Sequence, residues 1–352
     1  MLAWFSANAR DLPWRRTRDP YAIWISEIML QQTQVKTVIP FWERWMRELP
    51  TIEAAAKAPS AQIHKLWEGL GYYTRVRNLQ KAAQVIVEKQ GRKFPEQFED
   101  VLALPGIGRY TAGAICSIVF NQPTPILDGN VIRVLTRIFG IDGNPKEKPT
   151  NAKLWQLAQD LVERASLITN QSSLSCSHLN QSLMELGALI CTPRNPQCLI
   201  CPLKKLCVAS KESRTEELPN LGKRETATAR RFIAFVIEHG GKFLVRQRPA
   251  GVVNGHLWEF PNVEITGTKP NAADAFRKLF GMKPQAIKPL RTIKHSITRY
   301  RITLEAFSVS LAKRSVSEKG HWLAPEEFDS VAFSSAHKKL ASAAAQSILS
   351  GR

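Results

Sequence analysis

The sequence predicts a mainly α region over residues 1–208, a linker over 209–228 and an α+β domain over 229–352. Three observations carry this division. Apolar residues recur at helical spacing through the first two hundred residues, where strand-like alternation is scarce. The stretch from Ala209 to Thr228 is polar and charged and holds Pro219 and Gly222, the texture of a linker. Beyond it β-forming residues take over. A chain of 352 residues also fits two domains at about 150 residues each.

The first helix is expected over 20–35, where Ile23, Ile25, Ile28, Met29, Leu30 and Val35 fall among polar positions. Ile63, Leu66, Trp67 and Leu70 give a second over 60–70. Leu79, Ala82, Ala83, Ile86 and Val87 give a third over 78–90. Further helices fit 96–104, 109–120, 130–139, 151–165 and 178–191. In the second domain, Arg231-Phe-Ile-Ala-Phe-Val-Ile-Glu238 reads as a strand. Gly240-Gly241 is a hairpin turn signal before the strand Lys242-Phe-Leu-Val-Arg246. Tyr300-Arg-Ile-Thr-Leu-Glu-Ala-Phe307 alternates as a third strand, and helices fit 271–280 and 336–349. No internal repeat is visible.

Lys and Arg number 49 against 30 Asp and Glu, a formal charge of +19. Such an excess points to an anionic partner, with nucleic acid the leading class. It is spread over the chain: residues 1–228 hold 29 basic and 21 acidic side chains, and residues 229–352 hold 20 and 9. Two domains gripping one polyanion suit this better than one domain with a basic tail. The 44% hydrophobic content argues for packed cores rather than disorder. No apolar run approaches the roughly 20 residues of a membrane span. The start, Met1-Leu-Ala-Trp-Phe5, turns polar without a basic leader, so no secretory signal is expected. A bacterial cytosolic monomer without membrane association is the expectation.

Four of the six cysteines, Cys191, Cys198, Cys201 and Cys207, are spaced C-x6-C-x2-C-x5-C. Crowding of this kind favours metal ligation over disulfides, and four thiolates could hold zinc or a [4Fe–4S] cluster. The count alone does not choose between them. Cys116, on an apolar helix face, and Cys176, in a Ser-rich loop, read as ordinary thiols. Leu104-Pro105-Gly106-Ile107-Gly108 lies between two helical segments. Its glycines would let backbone N–H groups approach a phosphate at a helix N-terminus. Alone, a Pro-Gly loop of this kind is also a common connector. Twenty residues on, Asp128 in Ile126-Leu-Asp-Gly-Asn130 marks a carboxylate at a loop–helix junction, which on its own is equally a helix cap.

Cysteine loop, hairpin and acid in this arrangement resemble the iron–sulfur branch of the helix-hairpin-helix DNA glycosylases. Ser26-Glu-Ile-Met-Leu-Gln-Gln-Thr-Gln-Val35, Asp11-Leu-Pro-Trp-Arg15 and Gly69-Leu-Gly-Tyr-Tyr-Thr-Arg75 are similar to motifs of its MutY-type adenine glycosylases. The resemblance covers nearly the whole chain. It implies a six-helix barrel with an iron–sulfur subdomain, a [4Fe–4S] cluster on the four cysteines, and base excision repair of duplex DNA. The implied substrate is adenine opposite 8-oxoguanine or guanine, flipped out of the duplex because its reacting atoms are otherwise buried.

The same resemblance implies the roles. Glu27 would be the general acid protonating adenine N7, and Asp128 would stabilise the oxocarbenium-like sugar. Tyr110 and Asn130 would assist. Arg10, Trp14 and Arg15 would line the adenine pocket. Gln32 would be the wedge entering the base stack, with Thr33, Leu70 and Tyr72 beside it, and Leu104–Gly108 would grip phosphate. Glycosylases that also cut the strand carry a Lys nucleophile where this chain has Tyr110, which implies a monofunctional enzyme that uses water. The chemistry is consistent: bond cleavage puts positive charge on the sugar and negative charge on the base, so a carboxylate and a protonated acid are both needed.

His256-Leu-Trp-Glu-Phe-Pro261 resembles the corresponding element of Nudix-like domains. The following segment, Asn271–Gly281, holds one carboxylate, Asp274, and lacks the Glu set that binds Mg²⁺. Diphosphate hydrolysis is therefore not expected. The related domain of the adenine glycosylases reads 8-oxoguanine through a loop that usually carries Phe-Ser-His after an earlier His. Here His295-Ser-Ile-Thr-Arg299 stands in that place. Thr298 keeps a hydroxyl, Ile297 replaces the aromatic, and Arg299 would contact phosphate or the lesion's acceptors. Two other readings compete: an endonuclease III-like glycosylase/AP lyase, and a non-catalytic lesion-sensing DNA-binding protein. Tyr110 and the second domain count against the former, and the pairing of Glu27 with Asp128 counts against the latter.

Overall fold

A computed structural model describes residues 1–167, 175–223, 226–266, 271–297, 299–311 and 320–350. Its chain divides into two compact units, Met1–Ala58 with Arg77–Arg224, and Pro59–Val76 with Glu225–Arg352. The helices are α1 Leu2–Asn8, α2 Pro20–Leu30, α3 Val35–Glu48, α4 Ile52–Lys57, α5 Ser60–Leu66, α6 Thr74–Lys89, α7 Phe98–Leu102, α8 Arg109–Phe120, α9 Gly129–Phe139, α10 Lys148–Ser166, α11 Ser175–Leu189 and α12 Val208–Lys211. Two more, α13 Ala272–Phe280 and α14 Ser335–Ser350, belong to the second unit.

The first unit is helical, as expected. Asp19 caps α2 by accepting from the Tyr21 N–H at 3.0 Å, and Pro20 fits the first turn, where its missing N–H costs nothing. Every residue from Tyr21 to Met29 is buried, so α2 is apolar all round and central. Glu27 is the one carboxyl in that stretch. Against α2 packs α8. A Cβ at Gly113 of α8 would stand 2.1 Å from the Pro125 carbonyl oxygen, so glycine there lets the strand of chain entering α9 pass close. A Cβ at Gly187 of α11 would meet Asn130 Cβ at 2.6 Å, the matching close approach on the other side. Small residues thus draw the start of α9, with Asp128 and Asn130, into the space between α8 and α11.

The expected helix over 20–35 ends at Leu30, because Gln32 turns into the left-handed region at φ 57°. A new helix, α3, starts at Val35, and α1 and α4 are further helices absent from the sequence expectation. The expected linker over 209–228 is mostly not a free connector. Ala209 and Leu218 are buried with Cys207, and Arg137 Nε donates to the Leu218 carbonyl at 2.9 Å. Arg214 pairs with Asp142, Glu212 and Glu217. The arginine partners draw the segment onto the first unit. Pro59–Val76, within the domain expected over 1–208, group with the second compact unit.

The second unit holds a mixed sheet of β1 Thr228–His239, β2 Lys242–Gln247, β3 Trp258–Glu259, β4 Asn262–Ile265, β5 Ala286–Ile297, β6 Tyr300–Ser310 and β7 His321–Leu323. Its main order is β3-β2-β1-β6-β5; β1 and β6 run parallel, and the other pairings are antiparallel. Side-chain alternation sends Ile233, Phe235 and Ile237 to one face, where Phe276 and Phe280 of α13 cover them. Ala234 and Val236 face the opposite side, under Leu340, Ala341 and Ala344 of α14. Both faces of the sheet are therefore covered by helix. The only acid on α13, Asp274, is exposed and pairs with Arg277 three residues on.

Candidate active site

Parts of α2, α8, α9 and α11 line a cavity of about 990 Å³ in the first unit, together with the Arg10–Arg15 segment and the Gln31–Lys36 turn. Glu27 and Asp128 both reach it, from α2 and from the start of α9.

Glu27 is buried, and Tyr110 on α8 donates to its Oε2 at 3.1 Å. Burial pushes the Glu27 carboxyl up to about 7, against the Tyr110 hydrogen bond and with help from the negative charge of Asp128. At neutral pH it is therefore poised between acid and carboxylate. Burial and the two nearby carboxyls raise the Tyr110 phenol well above its ordinary value, so it stays a neutral donor. The second acid is held differently. Asp128 Oδ1 accepts from the Val131 N–H at 2.7 Å, capping α9, and Oδ2 accepts from Asn130 Nδ2 at 3.0 Å. Burial raises its carboxyl, but these hydrogen bonds and the nearby Arg133 guanidinium oppose that shift. Two carboxyl groups in one cavity thus have different environments, one apolar and one rich in donors.

The cavity wall opposite is cationic. Glu185 of α11 is fully buried and accepts from Arg10 through Nε and Nη2, both at 2.8 Å, and from Arg15 Nη2 at 3.0 Å. Arg15 Nε also donates to Gln181 Oε1 at 3.2 Å. Burial alone would raise the Glu185 carboxyl; the two guanidinium groups reverse this and hold it down at about 2. Trp14 is buried beside them, edge-on to Trp42 at 6.0 Å. The clamp therefore fixes both arginines in place. Glu185→Leu would strand two guanidinium groups and is expected to lower unfolding stability by about 2–3 kcal/mol in chemical denaturation at pH 7. Because the folded carboxyl lies below its ordinary value, the wild-type advantage should be complete above about pH 4.5 and vanish as pH falls toward 2. A pH-independent difference would contradict the clamp.

Arg133 ties this site to the cysteine loop. Its Nη2 donates to Asn130 Oδ1 and to the Gly187 carbonyl, both at 2.8 Å, and its Nε donates to the Cys191 carbonyl at 2.7 Å. One turn on, Arg137 Nη1 lies 3.3 Å from Cys191 Sγ and donates to the Thr192 carbonyl at 2.8 Å. Cys191, Cys198, Cys201 and Cys207 line one shared cavity with Arg137 and Lys204. Among the described residues no group of three His, Cys, Asp or Glu side chains converges closely enough to hold a single metal ion. Four thiols lining one space are a donor set for a metal centre, and the nearby cations suit the negative charge of bound thiolates. Cys116 and Cys176 are buried away from this loop.

The structure thus brings Glu27, Tyr110, Asp128, Asn130, Arg10, Trp14, Arg15, Gln32 and Thr33 to one cavity. In the hairpin, Leu104 and Ile107 are buried, Gly106 has φ 79°, and a Cβ there would stand 2.5 Å from Asn78 Cβ. Gly108 caps α8, leaving that helix's first N–H groups at the turn. Leu70 and Tyr72 belong to the second unit, Leu70 buried and Tyr72 exposed. Arg299 is exposed in the turn before β6, its guanidinium 5.3 Å from the centre of the Tyr300 ring. Thr298 lies outside the described residues. The sequence expectation missed Gln181, Glu185 and Arg133. A usable signal was present for the first two: on the helix over 178–191 they stand four apart, hence on one face.

Three families match successive parts of the chain: "HhH-GPD superfamily base excision DNA repair protein" over residues 25–160, "Iron-sulfur binding domain of endonuclease III" over 191–207 and "NUDIX domain" over 233–343. The chain is 34% identical to the human protein named adenine DNA glycosylase, over 97% of this chain and 72% of the relative. It is 36% identical to the adenine DNA glycosylase of Buchnera aphidicola subsp. Schizaphis graminum, over 89% of this chain and 87% of the relative. Among solved structures, a thermostable thymine-DNA glycosylase aligns over 60% of this chain and 93% of its own, at 32% identity and a TM-score of 0.53.

Proposed function

This chain belongs to the adenine DNA glycosylases, base excision repair enzymes carrying a [4Fe–4S] cluster, and we propose that its substrate is adenine opposite 8-oxoguanine or guanine in duplex DNA. The observation that carries the mechanism is the pair of carboxyls in one cavity, Glu27 against Tyr110 and Asp128 against Asn130.

Glu27 gives its proton to N7 of the flipped adenine, which makes the base a neutral leaving group as the C1′–N9 bond breaks. Asp128, as the carboxylate, stabilises the positive charge that develops on the sugar. Water then adds at C1′, its released proton restoring the Glu27 acid, and the product is an abasic site. Tyr110 holds the Glu27 proton donor in place, and Asn130 orients Asp128. Arg10, Trp14 and Arg15 shape the adenine pocket, with the arginines fixed by Glu185. Gln32, on its left-handed turn, is the wedge, with Thr33, Leu70 and Tyr72 as further contacts to the duplex. The N–H groups after Leu104–Gly108 take a phosphate.

Cys191, Cys198, Cys201 and Cys207 would hold the cluster. Net hydrolysis involves no change of oxidation state, so the reaction needs no redox step at the cluster. Arg133 and Arg137 relate that loop to α9 and through it to Asp128 and Asn130. In the second unit the exposed, arginine-paired Asp274 offers no carboxylate set for Mg²⁺ on α13. Its part is to read the opposite base, with Thr298 and Arg299 as the contacts.

Single-turnover excision from labelled duplexes with adenine opposite 8-oxoguanine, G, C or T tests the substrate. Release should be fastest opposite 8-oxoguanine, next opposite G, and slow opposite C and T. Arg299→Ala should narrow the first gap by about fivefold to tenfold, the loss of one good base contact. Equal rates opposite all four bases would overturn the reading.

A further inference from the structure

Glu68 is a buried carboxylate with one local partner, Lys65, and two from the far end of the chain, Phe333 and Lys338. Its side chain is 4% exposed. Oε1 accepts from the Phe333 N–H at 2.9 Å, while Oε2 receives Lys65 Nζ at 3.0 Å and also Lys338 Nζ. Lys65 donates in addition to the Val331 carbonyl at 3.0 Å. The His64 ring stacks on Tyr73 at 6.1 Å and lies 5.9 Å from the His256 ring. Phe333 belongs to the apolar core under α14. Residues 59–76 are thus fastened to the sandwich of the second unit, although by sequence they sit between Ala58 and Arg77 of the first.

Immediately after Glu68 comes a turn held in an uncommon conformation. Gly69, Gly71 and Tyr72 have φ of 111°, 71° and 47°. A left-handed tyrosine persists only where its surroundings over-determine it. Here Trp67 Nε1 donates to the Gly71 carbonyl at 3.1 Å, and Arg75 Nη2 donates to the carbonyls of Leu70 and Gly71, both at 3.2 Å. The Arg75 guanidinium lies over the rings of Trp67 and Tyr72. The turn is rigid within itself, and Tyr72 is left exposed at 45%. Burying a carboxylate to receive one distant N–H and two ammonium groups adds little net stability, but it fixes a register.

We propose that Glu68 is a positioning residue that locks the Tyr72 turn to the C-terminal sandwich, so that the domain reading the opposite base also sets where Leu70 and Tyr72 meet the duplex. This rests on the opposite-base reading above for its functional part only. Two measurements on the full-length, cluster-loaded protein separate the parts. In the DNA-free protein, Glu68→Ala and Lys338→Met should speed amide hydrogen exchange over residues 69–75 by about tenfold or more, with exchange over 109–120 unchanged. In single-turnover assays, Glu68→Ala should cut the preference for adenine opposite 8-oxoguanine over guanine by about fivefold, with the rate opposite guanine held within about twofold. Glu68→Gln, which keeps an acceptor for the Phe333 N–H, should restore most of both. Unchanged exchange over 69–75, or equal rate losses opposite both bases, would overturn the proposal. A wild-type enzyme without preference between the two bases would overturn the opposite-base reading, and the exchange result would still decide Glu68.

Discussion

Asp128→Asn is expected to slow adenine release by a factor on the order of 10³ while duplex affinity stays within about threefold, because it removes the negative charge that faces the developing cation. The fold tolerates the substitution for a structural reason. Asp128 caps α9 through the Val131 N–H, and asparagine caps a helix about as well as aspartate. Its carbonyl can take the place of Oδ1 at 2.7 Å from that N–H. The fold should survive, but the new amide nitrogen replaces Oδ2 and cannot accept from Asn130 Nδ2, so a lost rate reports lost charge together with that one hydrogen bond. Single-turnover kinetics with saturating enzyme, alongside titration of the same duplex by anisotropy, separate the two. Retention of more than about a tenth of the wild-type rate would remove Asp128 from the role assigned to it.

Glu27→Gln should cost a similar amount, within the range of about 10²–10⁴ typical of a general acid, and it should also change the shape of the pH profile. Burial holds the Glu27 carboxyl at about 7, so the wild-type rate should fall as pH rises through 7, as the proton donor is lost. The glutamine variant should show no such limb. Stability should move the other way. The folded carboxyl lies above its ordinary value, so wild type is penalised progressively as pH rises from about 4.5 through 7, where the unfolded chain ionises more readily. At pH 8, Glu27→Gln should therefore raise the melting temperature, by an amount corresponding to about 1–3 kcal/mol, and the gain should vanish near pH 4. A variant less active and less stable at every pH would mean that Glu27 is a packing residue.

Several elements were legible in the sequence because one physical signal dominated them. The helix expected over 109–120 is found as Arg109–Phe120, and that expected over 130–139 as Gly129–Phe139, each opened by a residue that suits a cap. The helix Val35–Glu48 was hidden by Pro40, which reads as a breaker, although only Val38 and Trp45 need burial to hold it. Strand Ala286–Ile297 was hidden by Pro289 and by lysines and arginines at exposed positions, which suit a strand at the end of the sheet order. At the site, local motifs pointed to Glu27, Asp128 and the cysteines through resemblance. Their tuning did not show, because it comes from distant chain: Glu185 meets Arg10 across 175 positions, and Glu68 meets Phe333 across 265. No periodicity encodes such a pairing. The segment over 59–76 shows the same limit, since its helical pattern says nothing of which core it joins.

Hydrolysis of the adenine glycosidic bond by two carboxyls, with no amine nucleophile, is the chemistry proposed for this cavity. A single-turnover reaction on an end-labelled duplex holding adenine opposite 8-oxoguanine tests it directly, with products resolved before and after alkali. Free adenine is expected, with a strand that stays whole until alkali breaks it at the abasic site. Strand scission without alkali, or a protein–DNA adduct trapped by borohydride, would show an amine nucleophile and contradict it.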